Sequence, residues 1–224
     1  MLTNALRFLF LVCIIVMTGP EKSFAATAPD LALIETAGQG DLDAVETLIR
    51  TGASVKERDA QGRTALLAAT QGDRIEVARA LIAAGADVNA KDRIEDSPYL
   101  YAGAEGRNEI LKLTLAAGAD LRSVNRYGGT ALIPAAHHGH PETVRILLGT
   151  AIDKDHVNKL GWTALLEAII LGDGGPTHTE IVRLLVEAGA NVNLADREGA
   201  TPLRHARQRG FAAMVRILEA RGAK

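Results

Sequence analysis

Cysteine occurs once in the 224 residues, at Cys13, and nowhere from residue 26 onward. That absence removes disulfide frameworks and thiol chemistry from almost the whole chain. Aromatic residues make up only 4%, with a single Trp, so a core has to be built from Leu, Ile, Val and Ala. Charge of one sign is not in excess either. The 25 basic and 27 acidic residues leave a formal net charge of −2, which gives no reason to expect nucleic acid or an anionic membrane surface as partner. Serine beyond residue 25 is limited to Ser54, Ser97 and Ser123, none in a nucleophile setting. Long apolar runs are missing too: residues 8–17 are ten in number, too few to span a bilayer.

That run nevertheless has a pattern of its own. Arg7 precedes it, Gly19 and Pro20 break it, and Ser23-Phe24-Ala25 places small residues at two cleavage positions. Residues 1–25 are therefore expected to be an export signal cut after Ala25, with a periplasmic or secreted product that has no further contact with the membrane. Cys13 lacks the small residues that precede a lipidated Cys. Cleavage would remove Arg7, Lys22 and Glu21, moving the net charge from −2 to −3.

What the remainder has in abundance is self-similarity. Residues 59–89 read DAQGRTALLAATQGDRIEVARALIAAGADVN. Asp59 and Gly62 bracket a turn, Thr64 is placed to cap a short helix, and Leu66, Leu67, Ala68 and Ala69 make that helix apolar and small. A second helix carries Ile75, Val77, Leu81 and Ile82 in one stripe, and Gly85 ends it as a left-handed cap before Val88. Two such short helices cannot offset the conformational entropy of ordering them by touching only each other. The unit has to stack on copies of itself, and copies are present. Thr64, Ser97, Thr130, Thr163 and Thr201 follow one another at 33, 33, 33 and 38 residues, and Asp59, Asp92, Asn125, Asn158 and Asp196 keep the same spacing. A fixed period of this size marks stacked helical repeats.

The period and the residues together resemble the ankyrin repeat. Thr201-Pro202-Leu203 with Ala206, Gly139-His140, residues 85–89 (GADVN) and residues 189–193 (GANVN) carry the resemblance, which covers about residues 31–224. It implies an all-α solenoid of about six helix-turn-helix repeats with short β-hairpin fingers, near residues 30–58, 59–91, 92–124, 125–157, 158–195 and 196–224 of a domain spanning 26–224. One departure is systematic. The family's His after Thr-Pro-Leu is replaced by Leu67, Leu100, Ile133, Leu166 and Arg204, so its hydrogen bonds between repeats must be absent or supplied otherwise.

Individual copies depart further. The first, with Leu31, Leu33, Ile34 and Ala37 and the charges of Asp30, Asp41, Asp43 and Glu46, reads as a terminal cap with a solvated face. The third puts Tyr99 at a core position and Tyr101 at one the family turns toward its concave face, where packing and partner contact are both open. In the fourth, Ala151 replaces the cap glycine and Lys154 the following Val, so the helix ends early at Gly149 or the junction is strained. Residues 149–157 are accordingly expected to be less protected than 83–91. The fifth holds five extra residues between Gly172 and Glu180, read as a surface loop, and the sixth ends in a cap rich in Arg204, Arg207, Arg209, Arg216 and Arg221.

No motif for chemistry stands out. His137, His138 and His140 are dense, but adjacent histidines on a helix diverge by about 100°, and His140 and His178 occupy the family's Gly-His position at the start of the second helix. Asp173-Gly174-Gly175 lacks the Lys and Ser/Thr of a phosphate loop. Neither a metal site nor a cofactor is expected, nor a catalytic residue. The finger tips carry the sharper signal. The resemblance lines them up along one edge, where Ile94, Tyr127, Leu160 and Trp162 are rimmed by Arg93, Arg126, Lys159 and Arg197. Trp, Tyr and Arg dominate binding energy at protein interfaces. With Tyr101 on the concave face, these residues form the expected partner-binding site of a non-catalytic, monomeric protein-interaction module. An inhibitor or immunity partner of an exported enzyme, and a metal- or small-molecule-binding accessory protein, are the alternatives.

Overall fold

The computed structural model describes residues 26–224, and the signal expected over residues 1–25 lies outside the described residues. Those residues form twelve helices, in six consecutive pairs: α1 (Ala28–Gln39) and α2 (Leu42–Arg50), α3 (Ala65–Gln71) and α4 (Ile75–Ala83), α5 (Pro98–Ala104) and α6 (Asn108–Ala116), α7 (Leu132–His137) and α8 (Pro141–Leu148), α9 (Ala164–Ile170) and α10 (Pro176–Glu187), α11 (Pro202–Gln208) and α12 (Ala212–Glu219). The odd-numbered helices pack on one another in order to make an inner layer, and the even-numbered helices do the same behind them. This is the all-helical solenoid that the period implies.

Thr64, Ser97, Thr163 and Thr201 each cap an inner helix by accepting the backbone N–H three residues on, at 3.2–3.3 Å. The fourth copy breaks this rule. Thr130 caps nothing: Ala131 is already in the helical region, α7 is only six residues long with Pro134 in its third position, and the Thr130 hydroxyl is buried without a partner. Leu33, Leu66, Leu81, Ile110, Leu132, Leu147, Leu165 and Leu185 are fully buried between the layers. Each contributes on the order of 1.5–3 kcal/mol of transfer free energy. Tyr99 is buried with them, as its core position requires.

The bonds missing with the family's His are supplied from other positions, one repeat to the next. Arg74 Nε donates to Gly38 O at 3.2 Å, His138 Nδ1 meets Ala104 O at 2.8 Å, His178 Nε2 meets His137 O at 2.9 Å, and Arg209 donates to Gly172 O at 2.9 Å. Side-chain polarity has moved from the start of the inner helix to its end, to the following turn or to the first turn of the outer helix, and the repeats remain tied.

The defect expected at residues 149–157 is repaired in the same way. α8 stops one residue early, with Gly149 in the right-handed region, and Ala151 avoids the positive φ that Gly85 adopts at +86°. Thr150 closes the turn onto Leu147 O at 2.6 Å, Ile152 enters the core at 5% exposure, and Asp155 accepts the Asn191 N–H at 2.8 Å as Asn89 accepts that of Asp120 at 2.9 Å. The five extra residues of the fifth copy are not a free loop. They lengthen α10 by three residues, to twelve against nine in α4 and α6, and leave His178 in its first turn, at the start of the second helix as expected. Gly174 lies against the Phe211 ring so closely that a Cβ there would meet it at 2.3 Å.

Two expectations are corrected at the edges. Asp30 is not a solvated charge but is 6% exposed, with Thr27 and Ser54 donating to its two carboxylate oxygens. The Thr27 hydroxyl first, then the backbone donors, hold its pKa below the ordinary value. The fingers are turns and not β-hairpins, and no strand occurs among the described residues. Each closes on itself, as in Asp59 N–H to Arg63 O at 3.0 Å, and single bonds such as Arg93 N–H to Gln61 O at 3.1 Å join neighbours. One bridge per finger is too few for a ladder.

Candidate functional site

Every finger is held by the side chain that opens it. The Oδ1 of Asp59, Asp92, Asn125, Asn158 and Asp196 accepts two backbone N–H groups, two and four residues on, at 2.8–3.1 Å. This Asx geometry projects the residue two on, the first of the two donors, outward. Ile94, Tyr127 and Leu160 accordingly stand in consecutive fingers at 53%, 55% and 49% exposure. In the third finger Glu95 takes φ +66°, at the turn position where the second and fourth carry Gly62 and Gly128.

Trp162 departs from the expectation. It is half-buried on the returning arm just before the cap Thr163, where its backbone N–H and carbonyl are both bonded to Asn158. The basic rim is also partly committed. Lys159 Nζ donates to Arg126 O at 3.0 Å and Arg197 to Lys159 O at 2.6 Å, so both brace one finger against the next. Arg126 lies 3.5 Å from Asp96 and stacks over the Tyr127 ring at 4.9 Å. Arg93 is exposed.

Behind the fingers, between them and the inner helices α5, α7 and α9, lies a groove of about 390 Å³. It gathers Tyr101, Arg126, Tyr127 and Leu160 of the expected residues and leaves Arg93, Ile94, Lys159, Trp162 and Arg197 outside. Tyr101 is half-buried there, so its side chain both packs and faces the groove. The groove also holds a residue that sequence reading missed. Glu167 lies in the wall at 5% exposure, its Oε1 accepting from Asn158 Nδ2 at 2.7 Å and its Oε2 3.8 Å from His137 Nδ1. Burial pushes the carboxyl up to about 7, and the Asn158 hydrogen bond opposes that shift. The register contained a signal for it: the same position carries Ala68, Tyr101, Pro134 and His205 in other copies, and an acid otherwise only in the terminal first copy, where Glu35 is exposed.

The remaining histidines are engaged in the scaffold. His156 Nε2 meets Gly128 O at 2.7 Å and His205 Nε2 meets Asp196 Oδ2 at 2.6 Å, while the ring of His140 packs over Gly106. Burial, followed by neighbouring His138, lowers the pKa of both His137 and His140. No group of three or more His, Cys, Asp or Glu among the described residues is placed to hold a metal ion, and no helix there is long and apolar enough to cross a membrane.

Six stacked helix pairs with an Asx-braced finger at each junction and a concave groove behind them define a repeat scaffold that presents one edge. The chain belongs to the ankyrin repeat family: the family model described as ankyrin repeats (3 copies) matches residues 6–92, 99–196 and 153–224. Ankyrin repeats generally mediate protein–protein interaction. The chain is similar to the crystal structure of an ankyrin repeat domain from Acinetobacter baumannii AYE, at 54% identity over 86% of this chain and 98% of that one, with a TM-score of 0.84. It is similar to the ankyrin repeat protein EF0377 at 43% identity, over 88% of this chain and 100% of that one, with a TM-score of 0.83. The ankyrin repeat domain of Bcl-3, described as a unique member of the IkappaB protein family, is 30% identical over 90% of this chain and 89% of its own, with a TM-score of 0.79. YahD of Escherichia coli (strain K12), named as an ankyrin repeat protein, is 51% identical over 57 residues, which are 25% of this chain and 28% of that relative.

Proposed function

We propose that this protein is an exported, non-catalytic interaction module of a small bacterial type, acting as a monomer and binding another protein along the fingers and groove of its third to fifth repeats. The observation that carries the reading is the row formed by Ile94, Tyr127 and Leu160, three large apolar side chains each about half exposed on successive fingers. A solvated edge has no reason to keep them there, whereas an interface core does. Arg93 and Arg126 flank the row, and Tyr101 continues it into the groove. Lys159, Arg197 and Trp162 serve the site by fixing the fingers that present it. Export is supported by the pattern of residues 1–25 and by the absence of Cys from residue 26 onward. Recovery of the protein from the cytoplasm with residues 1–25 intact would remove that half of the reading.

The test is to purify a partner captured from the exported fraction and titrate it calorimetrically against wild-type protein and the Tyr127→Ala/Leu160→Ala double variant. Each true anchor contributes about 1–4 kcal/mol, so the double variant is expected to lose at least tenfold in affinity. Unchanged affinity would move the interface to another face.

A further inference from the structure

Asp30 and Glu167 are the two acidic residues buried as whole residues among the described residues, and they differ in one respect. Both oxygens of Asp30 receive donors, from Ser54 on one side and Thr27 on the other. Glu167 receives one donor, Asn158 at Oε1; no hydrogen bond among the described residues reaches Oε2, and His137 Nδ1 at 3.8 Å is too far to supply one. The unmet oxygen belongs to a residue of the groove wall.

The groove around it is rich in carboxylates and poor in free cations. Asp96 and Glu105 line it with Glu167, while the guanidinium of Arg126 already lies beside Asp96 at 3.5 Å. His138 lies 3.7 Å from Glu105. His137 is kept toward its neutral form by burial and by the neighbouring His138 and His178. On the next inner helix, His205 is bonded to Asp196. Ile133, Leu160 and Leu171 give the groove apolar walls, and Tyr101 adds an aromatic face. Its volume falls at the small end of the range of about 300–1,000 Å³ typical of ligand pockets. A long aliphatic stem with a cationic head satisfies both halves of this lining.

We infer that the groove receives a lysine or arginine side chain of the bound protein, its stem along Ile133 and Leu160 and its charged head donating to Glu167 Oε2. The inference rests on the reading that the third to fifth repeats are the binding face. Docking the cation fixes the ionised form of Glu167, and the carboxyl proton leaves to solvent. Binding should therefore weaken as the pH falls through 7, since the basic side chain stays charged throughout.

Random displayed peptides selected on the purified full-length protein at pH 8 provide the probe, with affinities then measured by fluorescence anisotropy on wild-type, Tyr127→Ala and Glu167→Gln proteins. The expected peptides share one Lys or Arg, weaken at least tenfold when it is replaced by norleucine, and bind wild-type protein roughly tenfold less tightly at pH 6 than at pH 8. That slope should vanish in Glu167→Gln; a slope that persists there comes from the groove histidines and overturns the inference. Peptides that lose affinity in Tyr127→Ala but need no basic residue overturn it as well, while leaving the binding face in place. A selection that yields no Tyr127-dependent peptide overturns both. Circular dichroism of each variant confirms that the comparison is made between folded proteins.

Discussion

Repeats two and five are built on the same backbone and do different things with it. Thr64 and Thr163 cap their inner helices alike, and Leu66 and Leu165 are buried alike. The difference lies in four side chains on the concave edge. In repeat two Asp59 is met by its own Arg63 at 2.8 Å, Gln61 occupies the tip, and Ala68 faces inward. In repeat five Asn158 turns its amide to Glu167, Leu160 occupies the tip, and Trp162 replaces the arginine. On this edge repeat two pairs its turn acid with its own arginine, while repeat five leaves one carboxylate oxygen of Glu167 without a donor and an apolar tip exposed. A solenoid allows this, because each repeat touches only its neighbours and one can be specialised without unsettling the rest.

The largest test concerns what the two repeats share. Leu66→Ala and Leu165→Ala should each cost about 2–5 kcal/mol in urea unfolding, and values alike to within about 1 kcal/mol are expected if the scaffolds are equivalent. Strongly unequal costs would show that the specialisation of repeat five extends into its packing.

A smaller effect tests what they do not share. The Glu167 carboxyl is raised to about 7 in the fold, so the folded state holds a proton that the unfolded chain releases near its ordinary value of 4.5. Stability from this group is therefore lost as pH rises from 4.5 to 7 and is flat beyond, with a total of at most roughly 3 kcal/mol. Glu167→Gln is expected to stabilise the protein by about 1–3 kcal/mol at pH 8 and to be neutral near pH 4. Equal stabilities at both pH values would mean that the carboxyl is not desolvated.

The smallest effect lies in the finger between the two regions. Glu95 holds φ +66° without being glycine, and Glu95→Gly should raise stability by up to about 1 kcal/mol in thermal unfolding. A loss instead would show that the Glu95 side chain contributes a contact worth more than the strain.

The architecture was legible in the sequence because it is written as a period: the turn acid, the cap Thr and the apolar stripe recur at 33 residues, and the structure places their helices accordingly. Tyr99 and the exposed tips Ile94, Tyr127 and Leu160 followed from the same register. What escaped depended on residues meeting across repeats. The five-residue insertion is taken up partly as three further helical residues in α10 and partly as an ordered turn, in which Asp173 accepts from the Gly175 N–H, meets His178 Nδ1 at 3.0 Å, and Gly174 fits against Phe211. Near Ala151 the register places Ile152 where Ala86 and Ala190 are buried, and it is buried too; amide exchange over residues 149–157 against 83–91 measures whether that larger side chain restores protection. Thr130 failed as a cap because Ala131 is already helical and the Ile133 N–H bonds the Thr130 carbonyl at 3.1 Å in place of its hydroxyl. Glu167 looked like one more surface acid; only the finger folding over it, with Asn158 at 2.7 Å, removes it from water.

The bond between Asn158 and Glu167 joins residues nine apart in sequence, and repeat six sets Asp196 and His205 nine apart in the same two places. An amide donates to an acid in one repeat, and an imidazole meets an acid in the other. In these two repeats the pair is complementary, whereas Asn125 with Pro134 and Asp59 with Ala68 hold the same two places without such a match. Asp at 158 would set two carboxyls against each other, and His at 167 would leave the amide a poorer partner. Where the pair has formed, a change of one letter alone strands the other, so in repeats five and six the two positions should drift as a unit while the tips beside them vary one at a time.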